Sequence, residues 1–213
     1  MRRLLAILPL AAAAFGHDTI STRLTWSRDV SRIVWKRCGS CHREGASAMP
    51  LLNYDDARPW AKAIKEEVLE RRMPPWGAVK GFGDFRNDQS LTQEEITVIA
   101  DWVEGGAPAG DPNLLPYGRP AVVTAPAPGQ IFGKVRSELK LEKAYTLRAL
   151  QPESDVEEAQ VTATLPDGRV EPVLFLRGYR SKWKHPFVLR KAIELPAGSV
   201  LRVEPPASLG LYR

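Results

Sequence analysis

The stretch Cys38-Gly39-Ser40-Cys41-His42 decides the reading of this chain. It follows the pattern C-x-x-C-H, the spacing at which a haem is attached covalently. Each thiol can add to one vinyl group of the porphyrin, and two intervening residues on a helical turn let both sulfurs reach the same edge of the macrocycle. The thioethers fix the ring beside the next residue, so the His42 imidazole becomes the proximal iron ligand. Two other chemistries use paired cysteines. A thioredoxin-like pair follows a strand in a βαβ unit, and a zinc site needs further Cys or His at a second spacing. This chain has no other cysteine and only His17 and His185 besides His42. One covalent haem c is the expected cofactor.

The other face of the iron takes a ligand of its own or stays open. Met49 and Met73 are the soft sulfur donors on offer. From His42 the chain to Met49 spans at most about 25 Å and has to round the haem edge. Met73 has a longer tether, and Pro74 and Pro75 make the backbone after it a stiff, extended strap. Met73 is the expected sixth ligand, with His17, His185 or an open iron as alternatives. A thioether at that position raises the reduction potential relative to bis-histidine ligation.

Helical periodicity surrounds the motif. Ser27 is the predicted N-cap of a first helix, with Asp29 in its first turn and Val30, Ile33, Val34 and Cys38 at helical spacing. A second helix is predicted over 55–71, with Trp60, Ala61, Ile64 and Val68 on one face and Pro59 near its first turn. A third starts from a capping box, Ser90-x-x-Gln93, runs through Ile96, Ile99, Ala100 and Val103, and stops at Gly105-Gly106. Trp35, Trp60, Trp76 and Trp102 read as core.

Residues 27–112 resemble a class I cytochrome c domain of exported bacterial proteins. The likeness is carried by CGSCH on an N-terminal helix, RMPPW on the distal loop and a C-terminal helix ending ADWVEGGAP. Further shared patterns are His42-Arg43-Glu44-Gly45, Met49-Pro50-Leu51, residues 56–61 and Met73-Pro74-Pro75-Trp76. The resemblance implies that Met73 binds iron.

Prolines 108, 112, 116, 120, 126 and 128 then mark a linker, after which the period changes to alternation. Val161, Ala163 and Leu165 alternate with threonines, Pro166-Asp167-Gly168 makes a turn, and 170–176 returns. Phe187, Leu189, Ile193 and Leu195 mark another strand, closed by Pro196-Ala197-Gly198 before 200–203. Residues 150–205 resemble the C-terminal β-domain of copper type II, ascorbate-dependent monooxygenases, through TATLPDGR, Tyr179, Trp183 and IELPAGSVLRV. Where that family carries a His-x-His copper pair, this chain has Glu153-Ser154-Asp155. Copper(II) prefers imidazole nitrogen to these hard oxygens, so copper is not expected. Glu153, Asp155, Glu157 and Glu158 read as a solvated acidic edge, with a weak cation site as the alternative.

The expected fold class is α+β: an N-terminal all-α cytochrome c domain followed by an antiparallel β-sandwich-like domain. The expected layout is a signal peptide over 1–16, a haem domain over 17–112, a Pro-rich linker over 113–129 and a β-domain over 130–213. Arg2 and Arg3 precede an apolar run over 4–14 that falls short of the ~20 residues needed to span a bilayer. An uncleaved anchor is the alternative to cleavage. Removing 1–16 lowers the formal charge of the 213-residue chain from +5 to +3. No basic run stands on an aromatic platform, so nucleic acid is not an expected partner. No later segment is apolar enough for a membrane span in the mature chain, and the expected location is periplasmic or otherwise extracytoplasmic.

The expected function is electron transfer by an exported monohaem cytochrome working with a redox partner protein, the β-domain serving for docking or support. No catalytic residue is assigned. The alternatives are a haem enzyme, either a peroxidase using Arg71 or Arg72 or a component of a copper-monooxygenase-like oxidase, and a redox or gas sensor.

Overall fold

The computed structural model describes residues 23–86, 88–118 and 126–213. The expected signal peptide over 1–16, His17 and positions 119–125 of the expected linker lie outside them.

A π-helical turn at Trp26–Val30 leads into α1 (Ser31–Arg37). α2 (Tyr54–Ala57) passes through a 3-10 turn at Arg58–Trp60 into α3 (Ala61–Leu69), and α4 (Gln93–Glu104) ends the helical half. Both predicted caps sit two residues late or early by the same cause, a neighbouring Ser and Thr competing for the role. At the first helix Thr25 is the cap: its hydroxyl accepts the Arg28 N–H at 3.3 Å, and Asp29 accepts the Thr25 N–H at 2.8 Å. Ser27 is buried instead and donates its hydroxyl to the Ala109 carbonyl. At α4 the capping box is Thr92 with Glu95, because Ser90 gives its hydroxyl to Asp88. Leu91 and Ile96, both buried, staple the entry to α4. Pro59 divides the stretch predicted as one helix, and Trp60 ends 48% exposed rather than on the buried face.

The helical core joins Trp26, Val30 and Val34 of the first helical run to Ile96, Ile99 and Trp102 of α4. The rings of Trp26 and Trp102 lie 5.9 Å apart. The end of α1 is thereby fixed against the end of the helical half.

Eight strands follow: β1 (Ile131–Val135), β2 (Glu138–Lys140), β3 (Tyr145–Pro152), β4 (Val156–Thr164), β5 (Val170–Tyr179), β6 (Phe187–Leu195), β7 (Val200–Glu204) and β8 (Leu209–Tyr212). They form two four-stranded sheets, in the orders β1-β8-β3-β6 and β2-β7-β4-β5, with every pairing antiparallel. One apolar cluster draws Leu147 and Leu150 from the first sheet and Val161 and Ala163 from the second. The predicted hairpin joins β4 to β5, with Gly168 at φ +87 in its turn. The predicted turn at 196–198 passes the chain between sheets, because β6 and β7 belong to different ones. The molecule is α+β: short helices, then two antiparallel sheets.

Two paired sheets leave two flanks open. On one, the chain steps from edge strand β1 to edge strand β2, and the Arg136 and Ser137 carbonyls accept the Ala207 and Val203 N–H groups. Residues 76–86 close the other flank, although no strand is predicted there. Arg177 donates to Gly77 O and Val79 to Phe175 O on edge strand β5, both at 2.8 Å. Arg190 donates to Asp84 O and Arg86 to Val188 O on edge strand β6, again at 2.8 Å. Trp76 and Phe85, each 5% exposed, enter the β core. Trp76, expected among the helical residues, is thus core of the β half.

Gly83 permits this approach: it has φ +79, and a Cβ there would lie 2.4 Å from the Val173 carbonyl oxygen. Gly81 also has positive φ, with nothing within 4 Å of a Cβ. Gly83→Ala is expected to cost about 3 kcal/mol and Gly81→Ala about 1 kcal/mol, the difference being the clash. Urea unfolding of the two variants measures it.

Candidate haem site

α1 stops at Cys38, and the motif occupies the hydrogen-bonded turn beyond it. The Cys38 N–H donates to Val34 O at 2.9 Å, and the Cys41 and His42 N–H groups donate to Cys38 O at 3.1 and 2.9 Å. Cys38 and Cys41 are both free and half-buried. The Cys38 side chain packs on the helical core. Burial pushes its thiol up to about 12, helped by Cys41 and Glu95 and opposed by Arg37. At neutral pH it is a protonated thiol.

Residues 43–50 fold back over this turn. Ala48 donates to Cys41 O at 3.2 Å and Leu51 to His42 O at 3.1 Å, with the Leu51 side chain buried. The closure brings the Met49 carbonyl to 2.9 Å from His42 Nδ1. A carbonyl only accepts, so Nδ1 carries the proton of the neutral ring and Nε2 presents its lone pair. Imidazoles that ligate metals are oriented in this way, their other nitrogen bonded to a carbonyl or carboxylate. Met49 therefore enters the site through its backbone, an involvement the sequence reading missed. The available signal was Pro50, which biases the residue before it toward extended backbone. The same contact sets the Met49 carbonyl on the Nδ1 side of the imidazole.

One carboxylate braces the motif from the core side. Both Glu95 oxygens accept from Arg37 Nε, at 3.1 and 3.0 Å. These side chains are only 12% and 15% exposed. Glu95 also accepts the Thr92 N–H at 2.8 Å. The residue before Cys38 is thus locked to the start of α4.

Met73 comes from a different segment. Its N–H donates to Glu67 O at 3.2 Å near the end of α3, its side chain is half-buried, and Trp76 follows in the β core. His185 lies beside that strap rather than free for a ligand role. Its Nε2 is 3.1 Å from Trp76 O and its Nδ1 3.2 Å from Trp183 O. The ring stacks on Trp76 at 5.1 Å, and desolvation lowers its pKa. Arg71 donates to Gln93, and Arg72 is held by Glu67 and Glu70. Neither is free to serve over an opened iron without first breaking these contacts.

The acidic edge is partnered. Glu153 pairs with Lys134, Glu157 with Arg180 and Glu158 with Arg177. Asp155 accepts the Ser181 N–H and hydroxyl at 2.8 and 2.6 Å, which holds its carboxyl below the usual range. Among the described residues no three His, Cys, Asp or Glu gather in a cluster suited to a bare metal ion. No protein-family model, curated protein or solved structure matches the chain.

Glu95→Ala removes one half of the capping box and leaves the mostly buried Arg37 guanidinium with only the Asp88 carbonyl. It is expected to lower the unfolding free energy by about 3 kcal/mol. Glu95→Gln, which keeps an acceptor, should lose about half as much in the same denaturant titration.

Proposed function

We propose that this chain is an exported monohaem c-type cytochrome that passes electrons to or from a protein partner in the periplasm or another extracytoplasmic space. The observation that carries the reading is the His42 Nδ1 bond to the Met49 carbonyl, in a turn that also holds two free thiols. These residues fit a covalent haem. Cys38 and Cys41 would hold it as thioethers, His42 through Nε2 and Met73 through its sulfur. When bound, the iron supplies a one-electron couple.

The chain's own residues supply orientation. The 43–50 loop keeps His42 in one tautomer, and Leu51 anchors that loop in the core. Arg37 and Glu95 hold the Cys38 end of α1. Pro74 and Pro75 restrict the backbone that carries Met73. The packing of the first helical run on α4 accords with the class I cytochrome c likeness of residues 27–112. The two sheets sharing one core accord with the monooxygenase-like β-domain of residues 150–205. That β half is read as a scaffold without copper: Glu153 and Asp155, where the copper pair would stand, are committed to Lys134 and Ser181. Among the described residues no helix is long and apolar enough to cross a membrane.

The test is expression in a cell competent for cytochrome maturation. The mature chain should gain the mass of one haem, and Cys38→Ala with Cys41→Ala should abolish that gain. The oxidised protein should show a methionine-to-iron charge-transfer band, absent in Met73→Ala, which should then bind cyanide readily. A mature chain weighing only its amino acids would overturn the reading. Rapid carbon monoxide binding by the parent would remove Met73 from the ligand set.

A further inference from the structure

The two anchors of the Met73 strap lie in different halves of the molecule. On the N-terminal side, the Arg72 and Met73 N–H groups both donate to Glu67 O, at 2.9 and 3.2 Å. On the C-terminal side, Trp76 is buried in the β core, where its ring stacks on His185 at 5.1 Å and meets Phe187 edge-on at 4.9 Å. Only Met73, Pro74 and Pro75 lie between, and the prolines have little backbone freedom to lose. The thioether is therefore carried on a short span between a helix end and a β core, and the span is bent rather than extended, with the Trp76 N–H donating to Pro74 O at 2.7 Å.

The β anchor extends well beyond one side chain. Residues 77–79 pair with β5 and 84–86 with β6, so the segment after the strap is bonded to the edges of both sheets. Phe85 meets Trp76 at 6.0 Å and Phe187 at 5.6 Å, while Phe82 meets Phe175 at 5.2 Å. His185 reaches the strap itself, one ring nitrogen lying 3.1 Å from Trp76 O. Exposed edges and an open apolar flank are costly for a sheet pair, and this chain covers both with the continuation of its ligand strap.

We infer that the β half is the positioning element of the sixth ligand: its two sheet edges, with His185 and the Trp76 pocket, set where the Met73 sulfur stands. This rests on the haem reading given above and assigns the β half a task within that site. His185 is a positioning residue, acting through Trp76. A strap released from the β core keeps its Glu67 anchor but loses its far one, and Met73 then competes less well with external ligands for the iron.

The experiment compares four variants of the haem-loaded protein. His185→Phe keeps a ring against Trp76 and removes the nitrogens that face the Trp76 and Trp183 carbonyls; Gly83→Ala drives the segment off β5. Gly168→Ala, in the β4–β5 turn with nothing within 4 Å of a Cβ, and Leu201→Ala are controls, the latter weakening the β core on β7 away from the strap. The readouts are the methionine-to-iron charge-transfer band, the cyanide binding rate and hydrogen exchange at the Val79 and Arg86 amides. His185→Phe and Gly83→Ala should weaken the band and raise the cyanide rate about tenfold, the value of one lost hydrogen bond of ordinary net strength. They should also speed exchange at both amides, while the controls leave band and rate at parent values.

A parent that shows the band, with His185→Phe and Gly83→Ala indistinguishable from it, overturns the inference and leaves the haem reading standing. Equal loss in Leu201→Ala also overturns it, since general instability then accounts for the effect. A parent lacking the band overturns the ligand assignment and the inference together.

Discussion

The structure depends on one constraint: two paired sheets with an apolar interior cannot leave a flank uncovered. Strands β5 and β6 end their sheets, and each presents backbone groups that need partners. Residues 76–86 satisfy both edges and fill the gap with Trp76 and Phe85, each contributing about 2 kcal/mol of apolar burial. These residues belong in sequence to the helical half. The β core is consequently completed by a segment that begins three residues after Met73, and the two halves share side chains as well as a connection.

The His42 side of the site obeys a more local rule. A neutral imidazole has one proton, and where only one ring nitrogen faces a carbonyl that nitrogen carries it. The Met49 carbonyl makes that choice for His42. Two backbone bonds and a buried Leu51 hold the carbonyl in place within ten residues of the motif. The Cys38 thiol is governed by burial instead. Pushed up to about 12, it behaves in the unmodified chain as a small apolar residue packed under α1.

The motif, the helical periods and the β4–β5 hairpin were legible in the sequence because each rests on short-range pattern. Cap positions were legible only to within two residues. At 25–27 and at 90–92 a Ser and a Thr compete, and a distant acceptor decides at the first: Ser27 turns inward only because Ala109 is there to receive its hydroxyl. Strands β1 and β2 gave no clear alternation because most of their positions are exposed or half-buried, and β3 and β8 gave none because buried residues follow one another directly in them. The 76–86 segment was illegible for a stronger reason. Its strand pieces are two or three residues long, three glycines interrupt them, and nothing local marks them as edge partners. Its register exists only once β5 and β6 are in place.

His42 and Met73, the two ligands proposed, therefore differ in kind. His42 is oriented by a loop that closes on its own turn, so its geometry follows from contacts at short sequence separation. Met73 is held between Glu67, six residues back, and a pocket built by residues a hundred positions further on. Contacts of the first kind close short loops, whereas those of the second kind require the sheets to be paired. Under the proposed haem reading, attachment through Cys38 and Cys41 would draw on the first kind alone, and ligation by Met73 would depend on the second. The Pro74-Pro75 pair limits the backbone freedom of the segment that carries the Met73 sulfur.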